Sequence, residues 1–207
     1  MNKYAVNFFF RKMESQLSPK AIKIILVGNT GVGKTCLIGS YLKQHFDENT
    51  QATLSPAYST QQITKSDGTK ITIQIWDTAG QEKYQAVSQL FFRNSDIAIL
   101  CFTAGDRESM TSIHEWISMV CSESPKCKLI FVATKSDLLQ KKDFENVIHD
   151  AEAEFQQYQS PIILLTSAKT SYNIDNVFRI AGEIAESIST VAPNEMDLQR
   201  TEKSSCC

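Results

Sequence analysis

The segment from Ile22 to Thr35 constrains the fold more than any other part of the chain. An apolar run, Ile22 to Val27, gives way to Gly28-Asn29-Thr30-Gly31-Val32-Gly33-Lys34-Thr35, and a helix is predicted from Cys36 to about Lys43. The spacing Gly-x-x-x-x-Gly-Lys-Thr between a strand and a helix is that of a phosphate-binding loop. Glycine lets the backbone curl so that successive N–H groups, from Asn29 to Cys36, point inward at phosphate oxygens. The helix N-terminus adds its partial positive charge. Lys34 is a mobile cation able to reach β- and γ-phosphates, and the Thr35 hydroxyl can ligate Mg²⁺.

Beyond the loop, apolar runs alternate with helix-period stretches. Tyr58 to Lys65 and Lys70 to Trp76 read as strands joined by Ser66-Asp67-Gly68-Thr69, a hairpin signal. Ile97 to Phe102, Leu129 to Thr134 and Ile162 to Thr166 are short continuous apolar runs, as strands covered on both faces should be. Between and after them lie helical stripes. Ile113, Trp116, Ile117 and Val120 form one; Phe144, Val147, Ile148, Ala151 and Phe155 a second; Ile174, Val177, Phe178, Ala181, Ile184, Ala185 and Ile188 a third. Their i, i+3, i+4, i+7 spacing marks core faces and nothing more. The predicted fold is α/β: a P-loop NTPase small G-domain over residues 20–189, with a six-stranded, mostly parallel sheet carrying one antiparallel strand and helices on both faces. Ligands of such sheets bind at the carboxyl ends of the strands.

Composition excludes several classes. The 207 residues are 42% hydrophobic and 21% charged, with a net charge of −2, which offers no bulk attraction to nucleic acid. No apolar stretch approaches the ~20 residues needed to span a bilayer. Ala5 to Phe10 is apolar but too short and poorly flanked for a signal peptide, so residues 1–19 are expected to be a disordered extension, with 1–12 an upstream addition before Met13. Polar residues 190–207 are expected to form a flexible tail. The six cysteines make no framework. Cys36, Cys101, Cys121 and Cys127 lie in or beside apolar elements and are expected to be buried free thiols, as suits a reducing cytosol. Cys121 and Cys127 have no neighbouring Cys or His pair that would suggest zinc.

Three further motifs fall at predicted strand ends. In Trp76-Asp77-Thr78-Ala79-Gly80-Gln81-Glu82, Asp77 can hold a Mg²⁺-bound water, Gly80 lets a backbone N–H approach a γ-phosphate, and Gln81 can orient an attacking water. In Thr134-Lys135-Ser136-Asp137, the Asp137 carboxylate can accept two N–H groups from a guanine edge, which adenine does not offer. The aliphatic stem of Lys135 can lie along the base. Thr166-Ser167-Ala168-Lys169, at the end of the last strand, would complete the pocket with backbone N–H groups near the guanine oxygen.

In order and spacing these four motifs resemble those of the Ras-superfamily small GTPases, and within them the Rab family. The resemblance runs from about Lys20 to the C-terminus. Ile75 to Tyr84, Phe91-Phe92-Arg93-Asn94-Ser95 (in the family, Tyr-Tyr-Arg-Gly-Ala) and the terminal Cys206-Cys207 carry the Rab character. The resemblance implies a switch that binds GTP/GDP and Mg²⁺, hydrolyses GTP slowly with Gln81 and Lys34 as catalytic residues, and regulates vesicle traffic. It places Phe46 against the guanine and, seven positions later, Thr53 on Mg²⁺ beside Thr35 and Asp77. It implies an exchange factor, a GTPase-activating protein, a GDP-dissociation inhibitor, prenylation machinery and effectors as partners of a monomer. It also implies geranylgeranyl groups on Cys206 and Cys207, holding the protein on the cytosolic face of an endomembrane compartment from which it cycles to the cytosol. One lipid binds a membrane only marginally, and the tail has no polybasic patch, so two lipids fit.

The chain departs from the family at several points. Thr53-Leu54-Ser55 replaces Thr-Ile-Gly, one residue more than usual separates Thr53 from Trp76, and Pro56 with Tyr58-Ser59-Thr60 replaces the effector-facing sequence. Thr134 stands where most members have asparagine, so a side-chain contact to the base is expected to be lost. Thr30 is bulkier than the usual serine and is expected close to the γ-phosphate. These departures leave open a GTP-loaded binding module with negligible hydrolysis, against which Gln81 argues; Asp137 disfavours an ATP-using P-loop enzyme.

Overall fold

The computed structural model describes residues 21–47, 53, 57–77, 91–158 and 160–189. Within them the chain runs β1 (Ile22–Val27), α1 (Lys34–Tyr41), β2 (Ala57–Thr64), β3 (Lys70–Asp77), β4 (Ile97–Thr103), α2 (Arg107–Thr111), α3 (Ile113–Glu123), β5 (Lys128–Thr134), α4 (Phe144–Phe155), β6 (Ile162–Leu165) and α5 (Ile174–Ser189). The strands form one six-stranded sheet in the order β2-β3-β1-β4-β5-β6. Only the β2–β3 pair is antiparallel; it is a hairpin in register from Ala57 opposite Asp77 to Thr64 opposite Lys70. The other neighbours are parallel.

The uninterrupted apolar runs are explained by two cores, one on each face. Strand side chains alternate, so Ile24, Leu26, Ile97, Ile99, Cys101, Ile130 and Val132 meet Leu37 of α1 and Val177, Phe178 and Ala181 of α5. Their sequence neighbours Ile25, Val27, Ala98, Leu100, Phe102, Phe131 and Ala133 meet Met110 of α2, Ile113, Trp116 and Val120 of α3, and Ala151 and Phe155 of α4. Each fully buried Ile, Leu or Phe is worth about 1.5–3 kcal/mol relative to exposure. Both faces of the central strands therefore contribute. Phe155 stacks on Phe131 with ring centroids 4.2 Å apart, and Tyr41 at the end of α1 stacks on Phe178 at 3.9 Å.

Boundaries differ from expectation by one or two residues. α1 begins at Lys34 rather than Cys36 and ends at Tyr41, because the helix starts directly on Gly33. β2 runs one residue earlier than predicted, and β6 stops at Leu165. The short helix α2 was not predicted; the Asp106 side chain caps it by accepting from the N–H groups of Glu108 and Ser109. Cys101 and Cys127 are buried free thiols, and Cys36 is a half-buried one. Cys121 corrects the expectation: on the half-buried flank of α3 it is disulfide-bonded, not a free buried thiol. No helix among the described residues is long and apolar enough to cross a membrane. The expectations for residues 1–19 and 190–207, including Cys206 and Cys207, lie outside the described residues.

Candidate functional site

The described motifs lie at the carboxyl ends of β1, β3, β5 and β6, around one cavity of about 540 Å³. That size falls within the range of small-molecule sites.

The loop leaving β1 forms one end. Gly28 has φ +138°, and a Cβ built on it would stand 2.1 Å from the main-chain oxygen of Cys101, so the loop passes directly over β4. Gly33 caps α1 with φ +95° and no side-chain hydrogen bond, and the first turn of α1 contains no acidic residue. The N–H groups at this helix end are thus not claimed by a capping side chain, and the helix dipole favours an anion in front of them. Lys34 is 5% exposed, and its Nζ donates to the main-chain oxygens of Gly28 and Asn29, each at 2.8 Å. Burial pulls its pKa below the ordinary lysine value, against the opposing influence of nearby Cys101 and Asp77.

Beside the loop, three predicted metal-site residues converge. Thr35 Oγ1 donates to Asp77 Oδ2 at 2.7 Å and lies 2.5 Å from Thr53 Oγ1; Thr53 Oγ1 is 3.5 Å from the same carboxylate oxygen. The other oxygen, Asp77 Oδ1, is buried without a hydrogen-bond partner. Asp77 is 4% exposed, and burial raises its pKa despite hydrogen bonds from Thr35 and Thr53 and the charge of Lys34. A buried, unsatisfied carboxylate oxygen next to two hydroxyls is a set of hard oxygen donors that fits Mg²⁺. Such ions are held by one or two carboxylates and complete their shell with water and phosphate. No group of three or more His, Cys, Asp or Glu side chains able to hold a metal occurs among the described residues.

The opposite end is built where β5 and β6 finish. Lys135 takes a left-handed conformation, φ +57°, and turns the chain into a short 3₁₀ helix, Ser136–Leu138. Asp137 Oδ1 accepts from Ser167 Oγ at 2.6 Å. Ser167 is fixed in turn by paired main-chain bonds with Tyr172, 3.1 and 2.9 Å, and Ser136 N–H donates to Thr166 O at 2.9 Å. Lys135 runs toward the loop: its Cε would lie 3.8 Å from a Cβ on Gly33. Thr134 lines the cavity while its hydroxyl is engaged by main-chain oxygens. Its hydroxyl lies 2.5 Å from Val32 O and 3.0 Å from Phe102 O, so it ties the phosphate loop and β4 to β5.

Of the predicted ligand-binding residues, Thr30, Gly31, Gly33, Lys34, Thr35, Cys36, Phe46, Thr53, Thr134, Lys135, Asp137, Ala168 and Lys169 line the cavity. Val32 instead packs into the core, and the Ser167 side chain serves Asp137. The Asn29 side chain accepts from the indole N–H of Trp116 at 2.8 Å. Gly80 and Gln81 lie outside the described residues. Thr166, from the same predicted segment as Ala168 and Lys169, also lines the cavity, as do Leu37, Asp47 and Leu138, which were not predicted. Leu37, Asp47 and Leu138 each adjoin a predicted site residue, a signal available in the sequence. Leu138 is 71% exposed, which a core pattern could not have anticipated.

A family model described as "Ras family" matches residues 23–187. Among curated proteins the chain is similar to the Ras-related protein Rab-24 of Dictyostelium discoideum, 31% identical over 162 residues, covering 78% of this chain and 79% of that protein. It is 30% identical over 173 residues to the GTP-binding protein ypt5 of Schizosaccharomyces pombe, covering 80% and 81%. It is also 33% identical over 157 residues to the Ras-related protein Rab-30 of Homo sapiens, covering 75% of each.

Proposed function

The chain belongs to the Ras family as a Rab-like small GTPase that regulates membrane traffic and hydrolyses GTP, and on that premise we propose how its own residues carry the switch. The observation that supports the assignment is the two-ended cavity, with uncapped helix N–H groups and Lys34 at one end and a seated carboxylate, Asp137, at the other.

Lys34 would leave the carbonyls of Gly28 and Asn29 to meet the β- and γ-phosphates, where its charge offsets that developing on the transferred phosphoryl. The hydroxyls of Thr35 and Thr53, with Asp77 acting through water, would hold Mg²⁺. When bound, the ion neutralises charge on the β- and γ-phosphate oxygens. Asp137, oriented by Ser167, would accept two N–H groups of guanine, while Lys135 and Phe46 flank the base. Backbone N–H groups of Gly80 and of Ser167 to Lys169 would serve the γ-phosphate and the guanine oxygen, and Gln81 would position the attacking water. Without an arginine from a partner, turnover at such a site is slow, on the order of 10⁻⁴ s⁻¹ in Ras. An exchange factor, a GTPase-activating protein, a GDP-dissociation inhibitor and effectors would then set the cycle. Prenylation machinery would place geranylgeranyl groups on Cys206 and Cys207, anchoring the protein to the cytosolic face of an endomembrane.

The test is base exchange. Asp137→Asn should move preference from guanine to xanthine nucleotides, because the amide presents a donor where xanthine offers an acceptor. Retained guanine preference would sink the assignment of Asp137. In single turnover, Gln81→Leu should slow GTP hydrolysis; an unchanged rate would favour the non-hydrolysing module instead.

A further inference from the structure

The geometry points to Trp116 as a positioning residue for the phosphate loop, acting through the side chain of Asn29. Trp116 is 4% exposed, at the end of the first turn of α3, and packs in the core face that contains Ile25 and Val27 of β1. Its Nε1–H donates to Asn29 Oδ1 at 2.8 Å, across 87 residues of sequence. An indole N–H only donates, so this bond also fixes which end of the Asn29 amide faces α3.

Asn29 is therefore held twice. Its side chain is pinned by α3, and its main-chain oxygen accepts from Lys34 Nζ at 2.8 Å. On either side stand Gly28 and Gly31, both at positive φ, which leaves the intervening backbone free to move unless something outside it intervenes. Two later elements supply that restraint: α3 at Asn29 and, through Thr134, β5 at Val32. The Trp116 bond holds the carbonyl against which Lys34 rests, and so sets where that cation starts when phosphate arrives.

The inference rests on the cavity being a GTP/GDP site, and its test separates the two. With the full chain, release of a fluorescent GDP analogue is measured for wild type, Trp116→Phe, Asn29→Ala and the double variant. Phenylalanine keeps most of the apolar volume and removes only the donor. Each single variant should release nucleotide roughly three- to tenfold faster, the range for one net hydrogen bond. The double variant should be no faster than the faster single. Multiplying effects would overturn the coupling. Two readouts need no nucleotide. In a Trp76→Phe background Trp116 is the sole indole, since the chain has two tryptophans. Its Nε1–H resonance should shift on Asn29→Ala, and hydrogen exchange of the amides from Asn29 to Gly33 should quicken. If neither changes, the inference fails, whatever the chain binds. If Trp116→Phe does not fold, the Asn29→Ala arm decides by itself. If wild type binds no guanine nucleotide, the GTPase reading falls and these two readouts still judge the positioning role.

Discussion

Replacing Gly28 by alanine would place a methyl carbon 2.1 Å from the oxygen and 3.1 Å from the carbon of the Cys101 carbonyl. A comfortable C···O approach is about 3.3 Å, so loop and strand must separate by roughly 1 Å. Neither partner yields easily. Cys101 is fully buried in β4 and in register with Val132 of β5, and both strands are packed on two faces. At φ +138° the substituted residue would also sit in backbone that L side chains rarely adopt. Overpacking of this kind costs about 1–3 kcal/mol, and residence in a sparsely populated backbone region about 1–3 kcal/mol. Together these suggest a loss of roughly 2–6 kcal/mol, against a domain stability of about 5–15 kcal/mol. Gly31 provides the control. It too has positive φ, +76°, but a Cβ there would meet nothing within 4 Å. Gly31→Ala should therefore lose only the conformational part, about 1–2 kcal/mol. Urea unfolding of both variants without nucleotide, compared at a common m-value, measures the difference. Equal destabilisation, or a Gly28→Ala protein within 1 kcal/mol of wild type, would refute the claim that the loop rests on the β4 carbonyl.

Two other perturbations test the electrostatics. Burial raises the Asp77 pKa, so its ionised form opposes folding of the nucleotide-free protein. The associated stability is fully present below the unfolded-state pKa of 3.8 and is lost as pH rises through the higher folded value. Asp77→Asn should therefore be more stable than wild type near neutral pH without metal, the gap closing as pH falls into the carboxylate range. With Mg²⁺ and GTP present the order should reverse. Thermal melts across pH with and without ligand would show it, and an unchanged gap at low pH would contradict the burial argument. The thiols of Cys101 and Cys127 are pushed up to about 12 by burial, whereas Cys36 is half-buried and lines the cavity. A maleimide pulse at pH 7.5, read by mass spectrometry, should label Cys36 well before the other two, and bound GDP should slow it. Equal labelling of Cys36 and Cys101 would show that the core opens on the pulse timescale.

The sheet was legible because its apolar runs are continuous and its hairpin carries Asp67-Gly68; burial of β4 and β5 on both faces is what those runs encode. The site's chemistry was legible because phosphate and metal binding demand glycine, lysine, threonine and aspartate at fixed offsets. What was not legible was which way side chains turn. Thr134 reads as a lost base contact, yet its hydroxyl serves the phosphate loop. Asn29 reads as part of the ligand cradle, yet its amide faces Trp116, a residue whose helical spacing marks only core. Both contacts join segments far apart in sequence, and no local pattern announces them. Helix α2 escaped because a five-residue helix has too few turns for periodicity; its one signal was the capping Asp106.

The central position of β1 has a consequence for how the protein is made. Flanked by β3 and β4, this first strand emerges from the ribosome with neither neighbour yet synthesised. The loop after it must wait as well. Its floor is a β4 carbonyl, and its tie to β5 spans 102 residues. Non-local pairing of this kind slows folding, because loop closure precedes the contacts that reward it. A nascent chain therefore carries the whole Gly28–Thr35 segment long before it has a cradle to offer, and nucleotide can steady the fold only once Thr134 has been added and β5 has docked.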